Sequence, residues 1–188
     1  MLENLPDPAL QNIIKFFEIS GILKRIQRTG WVEVGVYEPE SVADHTFRTA
    51  MMCMLYADIE GLDVLKVLRM ALIHDLPEAV IGDLTPAQKN EETKGDEETA
   101  MQDILNLLPA HQRETYIQVW KEYQQGQTKE AKAVQQLEKI EMALQAKEYE
   151  RFGATNSSLQ RFVDIAKQVT SWPDLDKLLC GILEENKV

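Results

Sequence analysis

The chain of 188 residues is short of several things, and each shortage narrows what it does. No apolar run approaches the ~20 residues that a membrane span needs. Positive charge is scarce: 20 Lys and Arg stand against 31 Asp and Glu, a formal net charge of −11. Such an excess repels polynucleotides and anionic lipid, so a long nucleic acid or a membrane surface is a poor partner. A small phosphorylated substrate remains compatible, because a bound dication and one or two arginines invert the potential locally. The start, Met1-Leu2-Glu3-Asn4, lacks the basic region of a secretory signal. There are two cysteines, Cys53 and Cys180, without CxxC spacing. They read as reduced, buried thiols of a cytoplasmic protein.

Histidine is scarcer than chance placement would make useful, yet two of the three stand where they suggest one site. His74-Asp75 closes an apolar helical run (Val64, Leu65, Val67, Leu68, Met70, Ala71, Leu72, Ile73), and His45 lies one helix upstream. A neutral imidazole beside a carboxylate is a common way to hold a divalent transition metal. Neighbours on a helix point about 100° apart, so both reach one ion only where the helix ends. Pro77, which lacks an N–H, supplies that ending.

Most of the remaining chain has helical periodicity. The region ~8–24 places Leu10, Ile13, Ile14, Phe17 and Leu23 on one face. Residues 25–40, with Gly30, Gly35, Pro39 and the alternating Val32, Val34 and Val36, predict a loop or small hairpin. Ser41, with Asp44 in capping-box register, opens a helix to about 60 that carries Phe47, Ala50, Met51, Met54 and Leu55 inward. Asp63 caps the next helix, and Pro77 to Ile81 forms a short one stopped at Gly82. Lys89 to Gly95 predicts a loop or frayed helix start. Helices follow at ~96–108, ~110–124, ~128–150, ~157–170 and ~174–186. The fold class is all-α: one domain over residues 1–188, with about seven or more helices around one core.

A further metal ligand is expected from the helix ~128–150. Its apolar stripe is Val134, Leu137, Ile140 and Leu144, with Glu141 and Glu148 near it and Glu138 at its edge. Buried carboxylates are rare unless paired or metal-bound. Ordinary contacts with Lys139, Lys147 or Arg151 are the alternative, and periodicity alone leaves the fourth ligand open.

The ordered motifs settle on a family. Arg28-Thr29-Gly30-Trp31, Pro39-Glu40-Ser41-Val42-Ala43-Asp44-His45 and Ala71-Leu72-Ile73-His74-Asp75-Leu76-Pro77-Glu78 come first. Gly82-Asp83-Leu84-Thr85-Pro86, Trp120-Lys121-Glu122-Tyr123, Glu130-Ala131-Lys132 and Gln136-Leu137-Glu138-Lys139 through Glu148-Tyr149-Glu150 follow. In this series the chain resembles the HD-domain phosphohydrolase superfamily, in its 5′-deoxynucleotidase branch with the HD domain-containing protein 2 group. The resemblance implies a helical HD bundle, a divalent transition metal such as Mn²⁺ or Co²⁺, and a homodimer. It also implies hydrolysis of deoxyribonucleoside 5′-monophosphates by attack of metal-bound water. By matching position His45, His74 and Asp75 are metal ligands. The family's last ligand is an aspartate in an L-D-x-x-E context; Glu138 stands there, its carboxylate displaced by ~1.5 Å through the extra methylene. Glu141 matches the family's glutamate and is a lesser ligand candidate.

Roles for the neighbours follow from the chemistry of a phosphate monoester. Glu78, three residues beyond Asp75, is placed to protonate the leaving 5′-oxygen or orient the attacking water. Asp83, after a glycine turn, reaches substrate or a second ion, Mg²⁺, near Glu78; helix or turn capping is the plain alternative for both. Arg28 offers a bidentate guanidinium to phosphate. Trp31 packs against sugar or base and presses on the 2′ position, or is an ordinary loop anchor. Leu84, Thr85, Pro86, Asp75 and Glu138 complete the expected substrate-binding set. Lys132 is a weaker phosphate candidate, His111 a surface residue, and Met51, Met52 and Met54 core filler. The surplus apolar segment Leu175, Leu178, Leu179, Ile182 and Leu183 is the thin internal support for a dimer. Alternatives are an HD-type phosphodiesterase, a nucleotide pyrophosphohydrolase, or a non-catalytic nucleotide-binding scaffold.

Overall fold

A computed structural model describes residues 6–184. The opening tetrapeptide and the last two residues of the expected C-terminal helix lie outside that range. The described residues form ten α-helices in the order α1 (Asp7–Ile22), α2 (Thr29–Glu33), α3 (Val42–Glu60), α4 (Val64–Ile73), α5 (Glu78–Ile81), α6 (Glu91–Leu105), α7 (Ala110–Gln125), α8 (Lys129–Phe152), α9 (Gln160–Val169) and α10 (Pro173–Glu184). A single 3₁₀ turn, Leu23–Arg25, follows α1. The one extended pairing among the described residues is the isolated bridge between Gln27 and Ser41. The all-α expectation is met.

Helix α8 organises the bundle. Thr128 accepts a hydrogen bond from the Ala131 amide at its start, and Gly153, with φ +65°, ends it in the left-handed conformation that glycine tolerates. It packs against α3, α4, α7, α9 and α10. Val134, Leu137, Ile140 and Ala143 bury its apolar face in the main core with Val67, Met70, Ala71, Ile104 and Leu105. Burial of a side chain such as Leu137 or Ile140 contributes about 1.5–3 kcal/mol. A smaller core of Trp31, Val36, Met142, Ala146, Tyr149, Leu159 and Phe162 fastens the segment around α2 to α8 and α9.

The structure corrects several expectations. Residues 29–33 wind into a helical turn in place of the predicted loop, because Thr29 is tied to Asp83 from across the chain. Helix α6 begins at Glu91, inside the segment predicted as loop or frayed helix start, and its start is firmly capped: Asn90 and Thr93 form a reciprocal capping box. In α3 the inward face is not Phe47, Met51 and Leu55, which are 48–69% exposed, but His45, Thr46, Thr49, Ala50, Cys53 and Ala57. Small residues there let α3 approach α8 and α4 closely. Likewise α1 leaves Leu10, Ile14 and Phe17 exposed. Cys53 is buried, but Cys180 is exposed on α10. In the C-terminal segment, Leu175 and Leu179 are absorbed into the core, Ile182 and Leu183 pack partly against it, and Leu178 is left exposed.

Candidate functional site

The site forms where α3, the end of α4 and the middle of α8 meet. The Ser41–Asp44 capping box fixes the first turn of α3: the Ser41 hydroxyl accepts from the Asp44 amide, and the Asp44 carboxylate accepts from the Ser41 amide. His45 follows directly and points inward, 1% exposed. Helix α4 stops at Ile73, and the backbone continues through turns closed by Leu76 N–H to Ile73 and Glu78 N–H to Asp75. That break lets adjacent residues converge: Asp75 Oδ2 lies 3.0 Å from His74 Nε2 and 3.8 Å from His45 Nε2. From α8, Glu138 Oε2 lies 3.5 Å from His74 Nε2. One ligand atom from each of His45, His74 and Glu138 lies within 4.8 Å of the others, all three residues being buried.

The ring nitrogens test whether a cation fits. His74 Nδ1 donates to the Ala71 carbonyl at 2.7 Å, and His45 Nδ1 lies 2.5 Å from Glu141 Oε2. Both rings therefore turn Nε2 toward the convergence point. There His45 Nε2 is buried with no hydrogen-bond partner among the described residues, and His74 Nε2, equally buried, has the Asp75 carboxylate at 3.0 Å without hydrogen-bond geometry. Orphaned buried nitrogens are costly, and two imidazoles with two carboxylates are a donor set suited to a divalent transition metal. The residues fit a metal.

Charge suits a cation at three of these four residues. Burial works against ionisation of Asp75, yet His74, with Arg28 and His45, holds its carboxyl far below the usual range. Burial likewise opposes charge on Glu138, and Lys139 and His74 overcome it, keeping that carboxyl low. Burial, aided by Arg28, keeps the His45 imidazole neutral, as a ligand must be. For His74, burial is outweighed by Asp75 and Glu138, which raise its proton affinity. Glu78 differs from the other acids: burial first, then Asp75 and Asp83, push its carboxyl up to about 10.

A cavity of about 910 Å³ opens beside the convergence point, within the size range of small-molecule sites. Its walls include Arg28, Trp31, His74, Asp75, Glu78, Asp83, Leu84, Thr85, Pro86 and Glu138, which leaves out His45 and the weaker candidates Glu141 and Lys132. Arg28 Nη1 lies 3.4 Å from both Asp75 Oδ2 and Asp83 Oδ1. Gly82, at φ +79°, makes the turn that delivers Asp83; its carboxylate accepts from the Thr29 amide at 2.5 Å, and its carbonyl accepts from the Thr29 hydroxyl at 2.7 Å. Trp31 is almost wholly buried, its ring against Phe162 and Tyr149 and its N–H donating to Glu40 at 2.9 Å. Lys132 is exposed and does not line the cavity, whereas Lys89, Lys94, Lys139 and Arg161 do. His111 is exposed, as expected.

Sequence reasoning gave no role to Tyr123 or Arg48. The Tyr123 ring packs edge-on against His74, and burial, then Glu138 and Asp75, push its phenol well above the usual range. Arg48 holds Glu141, the residue weighed as a ligand. Helical spacing carried a hint for Arg48, which stands one turn after His45; Tyr123 stood in the Trp120-Lys121-Glu122-Tyr123 motif without a role of its own.

Known proteins resemble this chain along most of its length. The HD domain family model matches residues 20–175. The 5′-deoxynucleotidase HDDC2 of Mus musculus is 40% identical over 175 residues, 92% of this chain and 87% of the relative. A conserved hypothetical protein from Pyrococcus furiosus is 34% identical with a TM-score of 0.75, covering 91% of this chain and 99% of that one. The HD phosphohydrolase DatZ of cyanophage S-2L, solved with dA and one catalytic Zn²⁺ ion, shares the fold at 18% identity and a TM-score of 0.60, over 90% and 95% of the two chains. With matched residues that span the convergence point from α3 to α8, this chain belongs to the HD domain family.

Proposed function

We propose that this chain is a metal-dependent phosphohydrolase, a 5′-deoxynucleotidase that converts deoxyribonucleoside 5′-monophosphates to deoxynucleoside and phosphate. The observation that carries the reading is the pair of orphaned Nε2 atoms facing Asp75 and Glu138 beside a cavity lined by Arg28 and Glu78. The name carried by the Mus musculus relative supports the substrate class.

His45, His74, Asp75 and Glu138 would hold the ion, which we assign as Mn²⁺, Co²⁺ or a similar transition metal. When bound, such an ion supplies a Lewis acid for phosphoryl oxygens and lowers the pKa of a coordinated water. Arg28 faces the same space and offers two N–H groups to the phosphate. Asp83 aims it, through contacts with Arg28 and with the Thr29 backbone. Glu78 keeps its proton at neutral pH because burial and two neighbouring carboxylates disfavour its anion. It is therefore suited to give that proton to the 5′-oxygen as the P–O5′ bond breaks and water oxygen joins phosphorus. Leu84, Thr85, Pro86 and the edge of Trp31 shape the wall beside sugar and base. A second ion, Mg²⁺, near Glu78 and Asp83 has weaker support, since the Asp83 oxygens are already engaged by Arg28 and Thr29.

We read the whole chain as one HD domain acting as a homodimer in the cytoplasm. The dimer rests on α3, where Phe47, Met51, Leu55 and Ile59 stand at four-residue steps and are all exposed. The compartment rests on two free cysteines. No helix among the described residues is long and apolar enough to cross a membrane.

Phosphate release with Co²⁺ or Mn²⁺ from a panel of 5′- and 3′-monophosphates, diesters and nucleoside triphosphates tests the activity. Turnover confined to 5′-deoxynucleotides is expected. Cleavage of diesters or triphosphates alone, or none, contradicts it.

A further inference from the structure

One part-buried cluster stands behind the site, outside the lining of the cavity. Glu141 is fully buried, and both its oxygens are used: Oε1 accepts from Arg48 Nε at 2.8 Å, and Oε2 meets His45 Nδ1 at 2.5 Å. Arg48 in turn donates Nη1 to Glu148 at 2.7 Å and Nη2 to Gln145. Glu141, Gln145 and Glu148 lie on one face of α8, and His45 and Arg48 are one turn apart on α3. The guanidinium thus spans two turns of α8 and fixes the glutamate that meets the histidine.

A neutral imidazole carries one proton, and its position depends on the partner. Facing a carboxylate, which only accepts, Nδ1 holds the proton and Nε2 keeps its lone pair. Facing a donor, the proton moves to Nε2, and that nitrogen can no longer bind a cation. We infer that Glu141, oriented by Arg48, selects the His45 tautomer whose Nε2 is open toward Asp75 and Glu138, making both positioning residues for the metal site. The inference rests on the reading of His45 as a ligand.

The isosteric change Glu141→Gln is the decisive variant, because Arg48 cannot accept a hydrogen bond. Arg48 demands the amide oxygen, which leaves the amide NH₂ facing His45 Nδ1. The proton must then sit on Nε2. Removing the demand, in the double variant Arg48→Met with Glu141→Gln, frees the amide to turn its carbonyl to Nδ1–H. The more heavily altered protein should therefore bind metal better than the single variant, which a structural role for the cluster does not produce.

The test has two readouts. Imidazole ¹⁵N spectra of the metal-free protein report which nitrogen of each ring carries the proton. With three histidines, His74 serves as internal reference, since its Nδ1 faces the Ala71 carbonyl. The expected result is the Nδ1–H form of His45 in the unmodified protein, the Nε2–H form in Glu141→Gln, and recovery in the double variant. Titration with Co²⁺ alone should show affinity reduced ~10–100-fold in Glu141→Gln and partly restored in the double variant. An Nε2–H form of His45 in the unmodified protein overturns the inference whether or not any variant folds. So does Glu141→Gln with unaltered tautomer and Co²⁺ affinity. If the unmodified protein takes up no Co²⁺, the metal reading falls, while the nitrogen signals still decide the tautomer selection.

Discussion

Glu138 brings its carboxylate to 3.5 Å from His74 Nε2, the same ring atom that Asp75 approaches from the end of α4. The longer side chain therefore reaches the convergence point with α8 where it is. Glu138→Asp retracts the carboxylate by ~1.5 Å without moving α8. It should weaken Co²⁺ binding in this chain, and Glu138→Ala should weaken it further. Tighter binding by the aspartate variant would show that the glutamate is a handicap that α8 has not absorbed.

His74→Ala should leave a folded helical protein with little bound metal. Elemental analysis beside circular dichroism checks this. Undiminished metal in a folded variant removes His74 from the ligand set.

Glu78→Gln keeps the volume and loses the proton donor. A reduction in kcat of ~10²–10⁴-fold is expected with metal content unaffected. Arg28→Ala should lower turnover on every 5′-phosphate alike, whereas a change confined to one base would place Arg28 elsewhere. Comparing kcat and KM across the panel separates these.

Trp31 sets a harder experiment. Its ring is packed between Phe162 and Tyr149, so Trp31→Ala opens a cavity costing about 3–5 kcal/mol. Trp31→Phe preserves most of the packing. If the indole edge excludes a 2′-hydroxyl, the ratio of kcat/KM for dAMP over AMP should fall in Trp31→Phe. An unchanged ratio leaves Trp31 a core anchor.

Glu40 supplies a pH signature. Burial, then the nearby Glu141, push its carboxyl up to about 8, against the help of the Trp31 N–H. A folded pKa above the unfolded one means that stability is full below about 4.5 and declines as pH rises toward 8. Glu40→Gln keeps an acceptor for Trp31 without the charge. Its gain in Tm over the unmodified protein should grow across that window and then level off. A gain independent of pH would mean that Glu40 ionises normally in the fold.

The legible parts of the sequence were those where local chemistry acts alone. The His74–Asp75 convergence could be read because Pro77 forbids continuation of α4, and α8 because its stripe runs uninterrupted from Val134 to Leu144. The segment around Val32, Val34 and Val36 misled, since alternation suggests extended chain, while the winding of residues 29–33 depends on Asp83, 54 residues away. Helix α3 misled for another reason. Phe47, Met51 and Leu55 are its most hydrophobic stripe, but the buried side is built from Thr49, Ala50, Cys53 and Ala57, whose value lies in being small. Hydrophobicity ranks faces by transfer energy; close helix approach ranks them by size.

The four atoms at the convergence point come from positions 45, 74, 75 and 138, so an ion there would fasten α3 and the end of α4 to α8, which is remote from both along the chain. It would act as a reversible cross-link, holding shut two long loops of polypeptide. Because only the folded chain assembles all four groups, the strength of that fastening depends on free metal as RT ln(1 + [M]/Kd), about 2.7 kcal/mol at a hundredfold excess over Kd. Metal supply would thus govern how long each copy of the protein survives proteolysis as well as how fast it turns over.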